Sequence, residues 1–470
     1  MSTFSLGAEP AVAVAFVATL PAPEAGMARI AASGRNRPRA DVYVDPPWAV
    51  TVAVPLTAAA ATAEAKAAGA LAAAGLIGEA ADEAVTSIPL SPQAAVAFAR
   101  GFRARYFRPL SLKTAPRAED RRPIARLTIL TTGVEAAAKA WALWEAIAEA
   151  SEWARTLCAE PSNRLNPATF ALHVAGFAAF GLEVEVLEKG ALKHEGLGLH
   201  LAVGRGSATP PRLVILRWRG GEPGAAPTLI VGKGLTFDAG GICLKKPDHM
   251  EDMRGDMAGA ATAAGVARAL ARLKAPVNVT AILPLAENML GPDAQRPGDV
   301  WLSHSGKTVE VIDTDAEGRL VMADAAAWGC AGEKPASVVM LSTLTYAIGA
   351  ALGSHYAGLF ATTDALAKSL LAAAEATGEK MWRMPFTPPD DPALRSEIAD
   401  IRNYPPPTTP MPDAMNAAAF LRFFVPEDVP FAHLDIASMA LREANTETAA
   451  GPTGFGVASL VKLLTGQAAA

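Results

Sequence analysis

Short apolar runs alternate with helical patterns from about residue 163 to the end of the chain. Apolar runs without polar alternation are typical of parallel strands that are buried on both faces. We predict strands at 182–187, 212–218, 228–231, 277–283 and 338–342, and helices at 258–273, 320–329 and 455–464. This alternation predicts an α/β fold with a mostly parallel central sheet that is covered by helices on both faces.

The sequence pattern before residue 163 predicts a smaller α/β unit. It contains predicted strands at 12–17, 48–55 and 125–131, helices at 57–86 and 91–106, and a Pro- and Arg-rich loop at 34–47. One long Ala-rich helix is predicted at 134–158. We therefore expect a smaller N-terminal α/β domain at 1–133, a connecting helix at 134–160 and a larger α/β/α domain at 161–470.

Composition excludes several classes of protein. The chain has 470 residues, of which 51% are hydrophobic and 19% charged, so it can bury a large core and is not disordered. A net charge of −5 makes it a poor general binder of nucleic acid or of anionic membranes. Three scattered cysteines fit a reducing compartment, and Pro21 and Pro23 interrupt the apolar run at 11–20. We expect a cytoplasmic protein that does not bind membranes.

Two segments place charged side chains in apolar surroundings. The segment 231–245 reads VGKGLTFDAGGICLK and follows directly on a predicted strand, and the segment 313–320 reads DTDAEGRL. Ligands bind at the carboxyl ends of strands in open α/β sheets, so we expect Lys233 and Asp238 at a ligand site. The glycines at 231–245 match neither the Gly-x-Gly-x-x-Gly pattern nor the Walker pattern, which makes a phosphate site a weak hypothesis.

Four carboxylates are candidates for one site: Asp238, Asp256, Asp315 and Glu317. Asp315 and Glu317 are two residues apart, so their side chains point the same way if the loop is extended. Four negative charges are too costly in a dry pocket unless cations neutralise them. A pair of divalent cations roughly 3.5–4 Å apart would satisfy these carboxylates.

The histidines exclude one class of metalloprotease. A typical one-zinc protease contains a His-Glu-x-x-His motif. The chain has seven histidines, but it contains neither this motif nor a close histidine pair. Oxygen-rich sites suit Mn²⁺ or Mg²⁺, and Zn²⁺ remains open. We interpret His433 as a packed structural histidine and Asp435 as a structural partner.

The two charged segments resemble the two signatures of the cytosol (leucyl) aminopeptidase family. The resemblance extends from about residue 150 to 465 and includes further matching stretches at 286–289, 296–300, 342–345 and 433–437. It implies a metallopeptidase that removes N-terminal residues from short peptides with a free N-terminus. It also implies two divalent metal ions per subunit, Mn²⁺ or Zn²⁺ with Mg²⁺ as a third candidate, and a homohexamer.

The resemblance also implies a role for individual residues. It assigns the metal ligands to Lys233, Asp238, Asp256, Asp315 and Glu317. An amine binds metal only when it is neutral, and two adjacent dications would lower the pKa of Lys233 strongly. The catalytic pair falls on Lys245, which would stabilise the oxyanion, and Arg319, which would hold a bicarbonate ion as the general base.

The substrate pocket is where the chain departs from the family. We assign the pocket to Met253, Thr343, Leu344, Tyr346, Ala437 and Ala440. Tyr346 stands where the family usually has Gly, and Ala440 stands at the position of a pocket Met. If the Tyr346 ring points inward, we expect this pair to reshape the pocket in favour of small side chains. A ring that turns outward and packs between subunits would instead leave a preference for leucine intact. Asp313, the first residue of the second segment, replaces the family's usual Asn, and we expect it to hydrogen-bond locally.

Two alternatives to a general aminopeptidase stay open at this point. One is a family relative with a narrower substrate range, such as a dipeptidase. The other is a non-catalytic DNA-binding or regulatory role, for which the Arg-rich segment 100–122 is locally basic. The acidic balance of the whole chain argues against nucleic acid as a partner.

Overall fold

The computed structural model of the chain describes residues 12–22, 27–33, 40–45, 48–109, 112–115, 117, 120, 122–386, 391–406, 412–443 and 449–466. Contacts divide the chain into two compact units. The first comprises Met1–Thr156 with Glu443–Gly451, and the second comprises Leu157–Arg442 with Pro452–Ala469. We propose that the region 134–160 connects the two predicted domains.

The first unit contains a six-stranded sheet among its described residues, in the order β1-β6-β5-β2-β4-β3. Its strands are β1 (Ala13–Val17), β2 (Met27–Ala32), β3 (Asp41–Asp45), β4 (Trp48–Val54), β5 (Glu83–Leu90) and β6 (Arg126–Thr131). Its helices are α1 (Thr62–Leu76), α2 (Pro92–Tyr106) and α3 (Val134–Ala159), of which α3 continues into the second unit. All neighbouring strands are parallel except β3 and β4.

Two predictions for this unit are wrong. The helix predicted at 57–86 ends at Leu76, because Gly78 adopts a left-handed backbone (φ +84°) and the chain then enters β5. The loop predicted at 34–47 contains β3, a short strand at the sheet edge whose flanking prolines and charges hide its pattern. Residues 34–39 and 46–47 of that loop lie outside the described residues. Strand β2 was not predicted.

The second unit is built on a larger sheet. The strands of this unit are β7 (Glu183–Leu187), β8 (Arg212–Arg219), β9 (Thr228–Gly232), β10 (Gly234–Asp238), β11 (Asn278–Asn288), β12 (Val300–Leu302), β13 (Thr308–Glu310), β14 (Ser337–Ser342), β15 (Ala357–Ala361), β16 (Met381–Arg383), β17 (Ile401–Arg402), β18 (Phe431–Asp435) and β19 (Leu441–Arg442). Strands β12, β13 and β17 form a separate three-stranded sheet. A last short strand, β20, lies at Gly451–Pro452.

Helices alternate with these strands along the chain. They are α4 (Pro167–Ala175), α5 (Lys189–His194), α6 (Gly198–Val203), α7 (Ala258–Arg272), α8 (Gly318–Glu333), α9 (Tyr346–Leu352), α10 (Asp364–Thr377), α11 (Asp413–Arg422) and α12 (Val457–Thr465). Short 3₁₀ turns lie at Gly176–Phe180, Gly204–Gly206, Met250–Gly255 and Pro392–Leu394.

The main sheet has the order β16-β15-β18-β14-β9-β11-β8-β7, and β10 also pairs with β11. The central strands β18, β14, β9 and β11 are mutually parallel, whereas β7, β8 and β15 join antiparallel neighbours. Strand β14 packs Val338 and Met340 into the core with no exposed surface. The prediction of an α/β fold with a mostly parallel central sheet is confirmed.

Candidate metal centre and substrate cavity

The candidate site lies where the central strands end. Lys233 follows β9, and Asp238 is the last residue of β10. Strand β11 ends at Asn288, and Thr343 follows β14. Strands β9, β11 and β14 are parallel neighbours, and β10 is parallel to β11. The side chains that follow these strands are therefore brought together at their carboxyl ends.

Three of the predicted carboxylates form a compact cluster. Ligand oxygens of Asp238, Asp315 and Glu317 all lie within 4.8 Å of one another. Asn288 orients this cluster, because its Nδ2 donates to Asp238 Oδ1 over 2.8 Å and to the Thr314 carbonyl over 3.0 Å. The arrangement supplies hard oxygen donors at a spacing that suits a divalent cation.

Two lysines neutralise part of the negative charge. Lys233 Nζ lies 2.8 Å from Asp256 Oδ2 and 2.9 Å from Glu317 Oε1. Lys245 Nζ lies 2.9 Å from Asp238 Oδ2 and 2.6 Å from Asp315 Oδ1. Burial alone would lower the pKa of each ammonium, but the surrounding carboxylates outweigh it and raise both pKa values well above the ordinary range for lysine.

Burial and mutual repulsion disfavour the charged form of the carboxyl groups in the cluster. Burial and the neighbouring carboxylates raise the pKa of Asp256 to about 7 and that of Asp315 to about 8, against the lowering effect of the lysines. Burial, followed by the charge of Asp238, also raises the pKa of Glu317. Two ammonium groups thus do not supply enough positive charge for the cluster. The donor set fits divalent cations, which would bring more charge to the same oxygens.

Gly318 makes room for one of the lysines. A Cβ atom at position 318 would lie only 2.5 Å from Lys233 Cε and 2.7 Å from Lys233 Nζ. The first turn of α8 can therefore approach Lys233 closely while Glu317, at the helix N-cap, contacts its ammonium. A glycine at this position follows from packing rather than from backbone strain.

A cavity of about 320 Å³ opens beside the cluster. Twelve of the predicted site residues line it: Lys233, Asp238, Lys245, Met253, Asp256, Asp315, Arg319, Thr343, Leu344, Tyr346, Ala437 and Ala440. Glu317, the remaining predicted site residue, has no exposed surface and does not line the cavity. The structure therefore brings the residues of the predicted metal, catalytic and substrate sites to one cavity.

Tyr346 stands at the cavity beside Lys245. Its side chain is 75% exposed, and the Lys245 ammonium lies 5.7 Å from the centroid of its ring. Tyr346 is the first residue of α9, which Thr345 caps by accepting a hydrogen bond from Ile348 N. A ring at this position borders both the Lys245 ammonium and the predicted substrate pocket.

Asp435 organises the pocket loops rather than pairing with His433. Its carboxylate accepts hydrogen bonds from Leu344 N, from Ala437 N and from the Thr345 hydroxyl, which lies 2.7 Å away. His433 is fully buried and stacks on Phe360 with ring centroids 5.9 Å apart. The structure therefore shows His433 as a packed core residue, as the sequence indicated. Asp313 also makes a local hydrogen bond, accepting from Asp315 N over 2.8 Å.

Arg319 is held by residues that the sequence analysis missed. Its Nη1 donates to the Asn403 carbonyl over 2.9 Å, its Nη2 donates to Asp413 Oδ1 over 3.0 Å, and its guanidinium lies 5.5 Å from the Tyr404 ring centroid. Asn288 was also missed as a site residue, although it belongs to the matching stretch 286–289. No pattern marks Asn403, Tyr404 or Asp413, because they border a Pro-rich segment without periodicity.

This fold and this site define an α/β protein with a carboxylate-rich cavity at the carboxyl ends of its central strands, where the cluster could hold a metal ion. A family model described as "Cytosol aminopeptidase family, catalytic domain" matches residues 152–461. The chain belongs to the cytosol aminopeptidase family. It is accordingly a metal-dependent aminopeptidase, a hydrolase that acts on peptides.

Similar proteins cover most of the chain. A probable cytosol aminopeptidase of Rhodopseudomonas palustris (strain BisA53) is 43% identical over 389 residues, which are 81% of this chain and 77% of that protein. A probable cytosol aminopeptidase of Chelativorans sp. (strain BNC1) is 45% identical over 341 residues, which are 72% and 68% of the two chains. The solved structure of the bottromycin maturation enzyme BotP in complex with Mn superposes with a TM-score of 0.80 at 33% identity, covering 94% of this chain and 99% of that one.

Proposed function

We propose that this chain releases N-terminal residues from short peptides at a two-metal centre. The proposed ligands are Lys233, Asp238, Asp256, Asp315 and Glu317. The observation that supports the centre is the cluster of Asp238, Asp315 and Glu317 oxygens within 4.8 Å of one another. Oxygen donors admit Mn²⁺, Zn²⁺ or Mg²⁺, and the BotP structure with Mn favours Mn²⁺ among them. Two such cations would acidify a water molecule and polarise the scissile carbonyl.

Lys245 is the proposed electrophilic group. Its ammonium lies within 2.9 Å of carboxylates on both sides of the cluster, which keeps it charged and fixes its position at the cavity. A fixed cation beside the scissile carbonyl would stabilise the negative charge that develops on its oxygen in the transition state. Lys233 has a different role, because its amine must lose its proton before it can bind a cation.

Arg319 is the proposed site of the proton acceptor. A bicarbonate ion is the acceptor that the family resemblance predicts, and a guanidinium can bind such an anion through two parallel N–H groups. Here Nη1 and Nη2 already donate to Asn403 and Asp413, and Nε has no hydrogen-bond partner among the described residues. Bicarbonate would therefore have to share Arg319 with Asp413 or displace it.

The cavity wall is the proposed recognition surface for the N-terminal residue. A free α-amine is a ligand for a cation, which explains why a peptide with a blocked N-terminus would not be a substrate. The side chain of that residue would contact the pocket formed by Met253, Thr343, Leu344, Tyr346, Ala437 and Ala440, which all line the cavity. Pocket shape would then set the substrate preference.

We also propose a homohexamer in the cytoplasm. The relatives are described as cytosol aminopeptidases, and Cys158, Cys243 and Cys330 are all free thiols. None of the described helices combines the length and the apolar character that crossing a membrane requires.

Large apolar side chains are exposed at Val300 and Leu302 of β12, which supports an interface with another subunit. Sedimentation of the purified protein tests the assembly.

The segment 100–122 does not favour the DNA-binding alternative. Arg103 is buried and donates to Glu152 over 3.0 Å, and Arg108 lies 3.1 Å from Asp120. These two cations are therefore neutralised within the protein and are not offered to phosphates. A gel shift with random duplex DNA over a range of salt concentrations tests the alternative.

The direct test of the function uses matched pairs of substrates. We expect metal-loaded protein to hydrolyse Ala-, Met- and Leu-amides after Mn²⁺ or Zn²⁺ is added, and to leave the N-acetylated form of each amide intact. A chelator should abolish the hydrolysis, and the metal should restore it. Equal cleavage of free and acetylated amides would contradict an exopeptidase. Cleavage of dipeptides but not of tripeptides would favour the dipeptidase alternative.

A further inference from the structure

Arg319 and Asp413 form an ion pair in the wall of the catalytic cavity. Asp413 is the first residue of α11, and its Oδ1 lies 3.0 Å from Arg319 Nη2. The Arg319 side chain is 2% exposed, whereas that of Asp413 is 19% exposed. Both residues line the cavity together with Lys245 and Asp315. The carboxylate is therefore held by a buried cation and remains accessible from the cavity.

The surroundings of the pair fix its geometry. The Asn403 carbonyl accepts from Arg319 Nη1, and the Asn403 side chain accepts from Ile312 N and donates to the carbonyl of Asp313. Arg319 is thus anchored to the loop that leads into the metal-binding segment. Tyr404, Asp413 and Asp315 all line the cavity, so the two carboxylates border the same space.

We propose that Asp413 is the proton acceptor in peptide hydrolysis by this chain and takes the place of a bicarbonate ion on Arg319. The proposal rests on the proposed aminopeptidase function. A carboxylate that belongs to the chain is present at every turnover, whereas a dissolved anion has to bind first. The pairing also occupies Nη2 of the guanidinium group to which bicarbonate would bind.

The proton passes through Asp413 in two steps. First, an O–H bond of the attacking water breaks and its proton moves to the Asp413 carboxylate, while the water oxygen forms a bond to the carbonyl carbon. The carbonyl π electrons move to the carbonyl oxygen, where Lys245 stabilises the charge. Then the C–N bond breaks, the carbonyl re-forms, and the proton of Asp413 moves to the departing amine nitrogen, which regenerates the carboxylate.

The first experiment compares turnover in bicarbonate-free and bicarbonate-saturated buffers. We expect the kcat of the wild-type enzyme to be the same in both. Asp413→Ala should lose about 10²- to 10³-fold in kcat without bicarbonate and recover much of it when bicarbonate fills the vacated space. Asp413→Asn should lose a similar factor without recovery, because its amide keeps the volume of the carboxylate. An Asp413→Asn enzyme with full kcat, or a wild-type enzyme that needs bicarbonate, would overturn the proposal.

The second experiment does not depend on turnover. Binding of ¹³C-labelled bicarbonate is measured by NMR with metal-loaded wild-type protein, with Asp413→Ala and with Asp364→Asn. Asp364 forms an ion pair with Arg383 at a distance of 2.6 Å and does not line the cavity. It is therefore the matched control. We expect binding by Asp413→Ala alone, and equal binding by wild type and Asp413→Ala would contradict the proposal. If no amide is hydrolysed at all, the proposed function fails, but this measurement still tests whether Asp413 prevents bicarbonate from binding to Arg319.

Discussion

Asn288, the last residue of β11, donates a hydrogen bond from Nδ2 to Oδ1 of Asp238 over 2.8 Å. The same nitrogen lies 3.4 Å from Glu317 Oε2 and also donates to the Thr314 carbonyl. Asn288 is therefore a neutral link between the strand end that carries Asp238 and the loop that carries Glu317. A side chain that orients two carboxylates sets how well they bind cations.

Replacing Asn288 with Ala should weaken the binding of Mn²⁺ about 10- to 100-fold, because the carboxylates of the cluster lose the group that orients them. Isothermal titration of metal-depleted protein measures the change. Asn278→Ala is the matched control: Asn278 is the first residue of the same strand and bonds the carbonyls of Glu222 and Ala225. Equal affinities of the two variants would show that Asn288 does not orient the site.

Replacing Lys245 with Ala should lower kcat about 10²- to 10³-fold and change KM little, because its proposed interaction strengthens only as charge develops on the carbonyl oxygen. Steady-state kinetics on one amide separates the two constants. Lys246→Ala, at the exposed neighbouring position, should retain wild-type kcat. A rise in KM with unchanged kcat would instead assign Lys245 to uniform substrate binding.

Replacing Tyr346 with Gly should widen the preference for the N-terminal residue. The Tyr346 ring borders the pocket, and Ala440 forms another part of its wall. We expect the wild-type enzyme to prefer small side chains, and Tyr346→Gly to raise kcat/KM for Leu-amide relative to Ala-amide. One methylene group in such a pocket changes the barrier by only about 1–3 kcal/mol, whereas a steric clash costs more. If Leu-amide is already the best wild-type substrate and the variant leaves the ranking unchanged, the ring does not shape the pocket.

The buried histidine His433 should make the fold sensitive to acid. Burial lowers its pKa from 6.5 to about 3, so the folded protein holds this ring neutral while the unfolded chain protonates it below pH 6.5. Its contribution to stability is complete above pH 6.5 and is lost as the pH falls toward 3, by up to about 1.4 kcal/mol per pH unit.

Urea unfolding between pH 7 and pH 4 checks this expectation. The free energy of unfolding of the wild-type protein should fall more steeply with acid than that of His433→Leu, which keeps an apolar group against Phe360. His194→Leu is the control, because His194 is largely exposed. Parallel pH profiles of wild type and His433→Leu would show that His433 does not cause the sensitivity.

Sequence patterns predicted several strands of the central sheet, because these strands are buried on both faces and therefore continuously apolar. The equally buried central strand β18 was not predicted. Strands β9 and β14 lie within one or two residues of their predicted bounds. The same reasoning failed at β5, which follows an Ala-rich helix without a clear break in composition. An edge strand such as β3 has few apolar contacts to mark it.

Some residues of the candidate site could be predicted from the sequence and others could not, and the difference has a physical reason. Charged residues within apolar segments, such as Lys233, Asp238 and Glu317, stand out because burying them without a ligand or partner is costly. Asn288 and Asp413 act through hydrogen bonds to residues that are distant in the sequence, and only the fold brings them together. The surroundings of Arg319 could not be derived from local pattern.

The central claim is that the carboxylate cluster holds two divalent cations per chain. Metal analysis of purified protein, depleted with a chelator and then reloaded with Mn²⁺, tests this claim directly in wild type and in Asp238→Ala. We predict two tightly held ions per wild-type chain and fewer than two in Asp238→Ala, because that carboxylate contributes one corner of the cluster. Two tightly held ions per chain in Asp238→Ala would contradict the assignment of the centre.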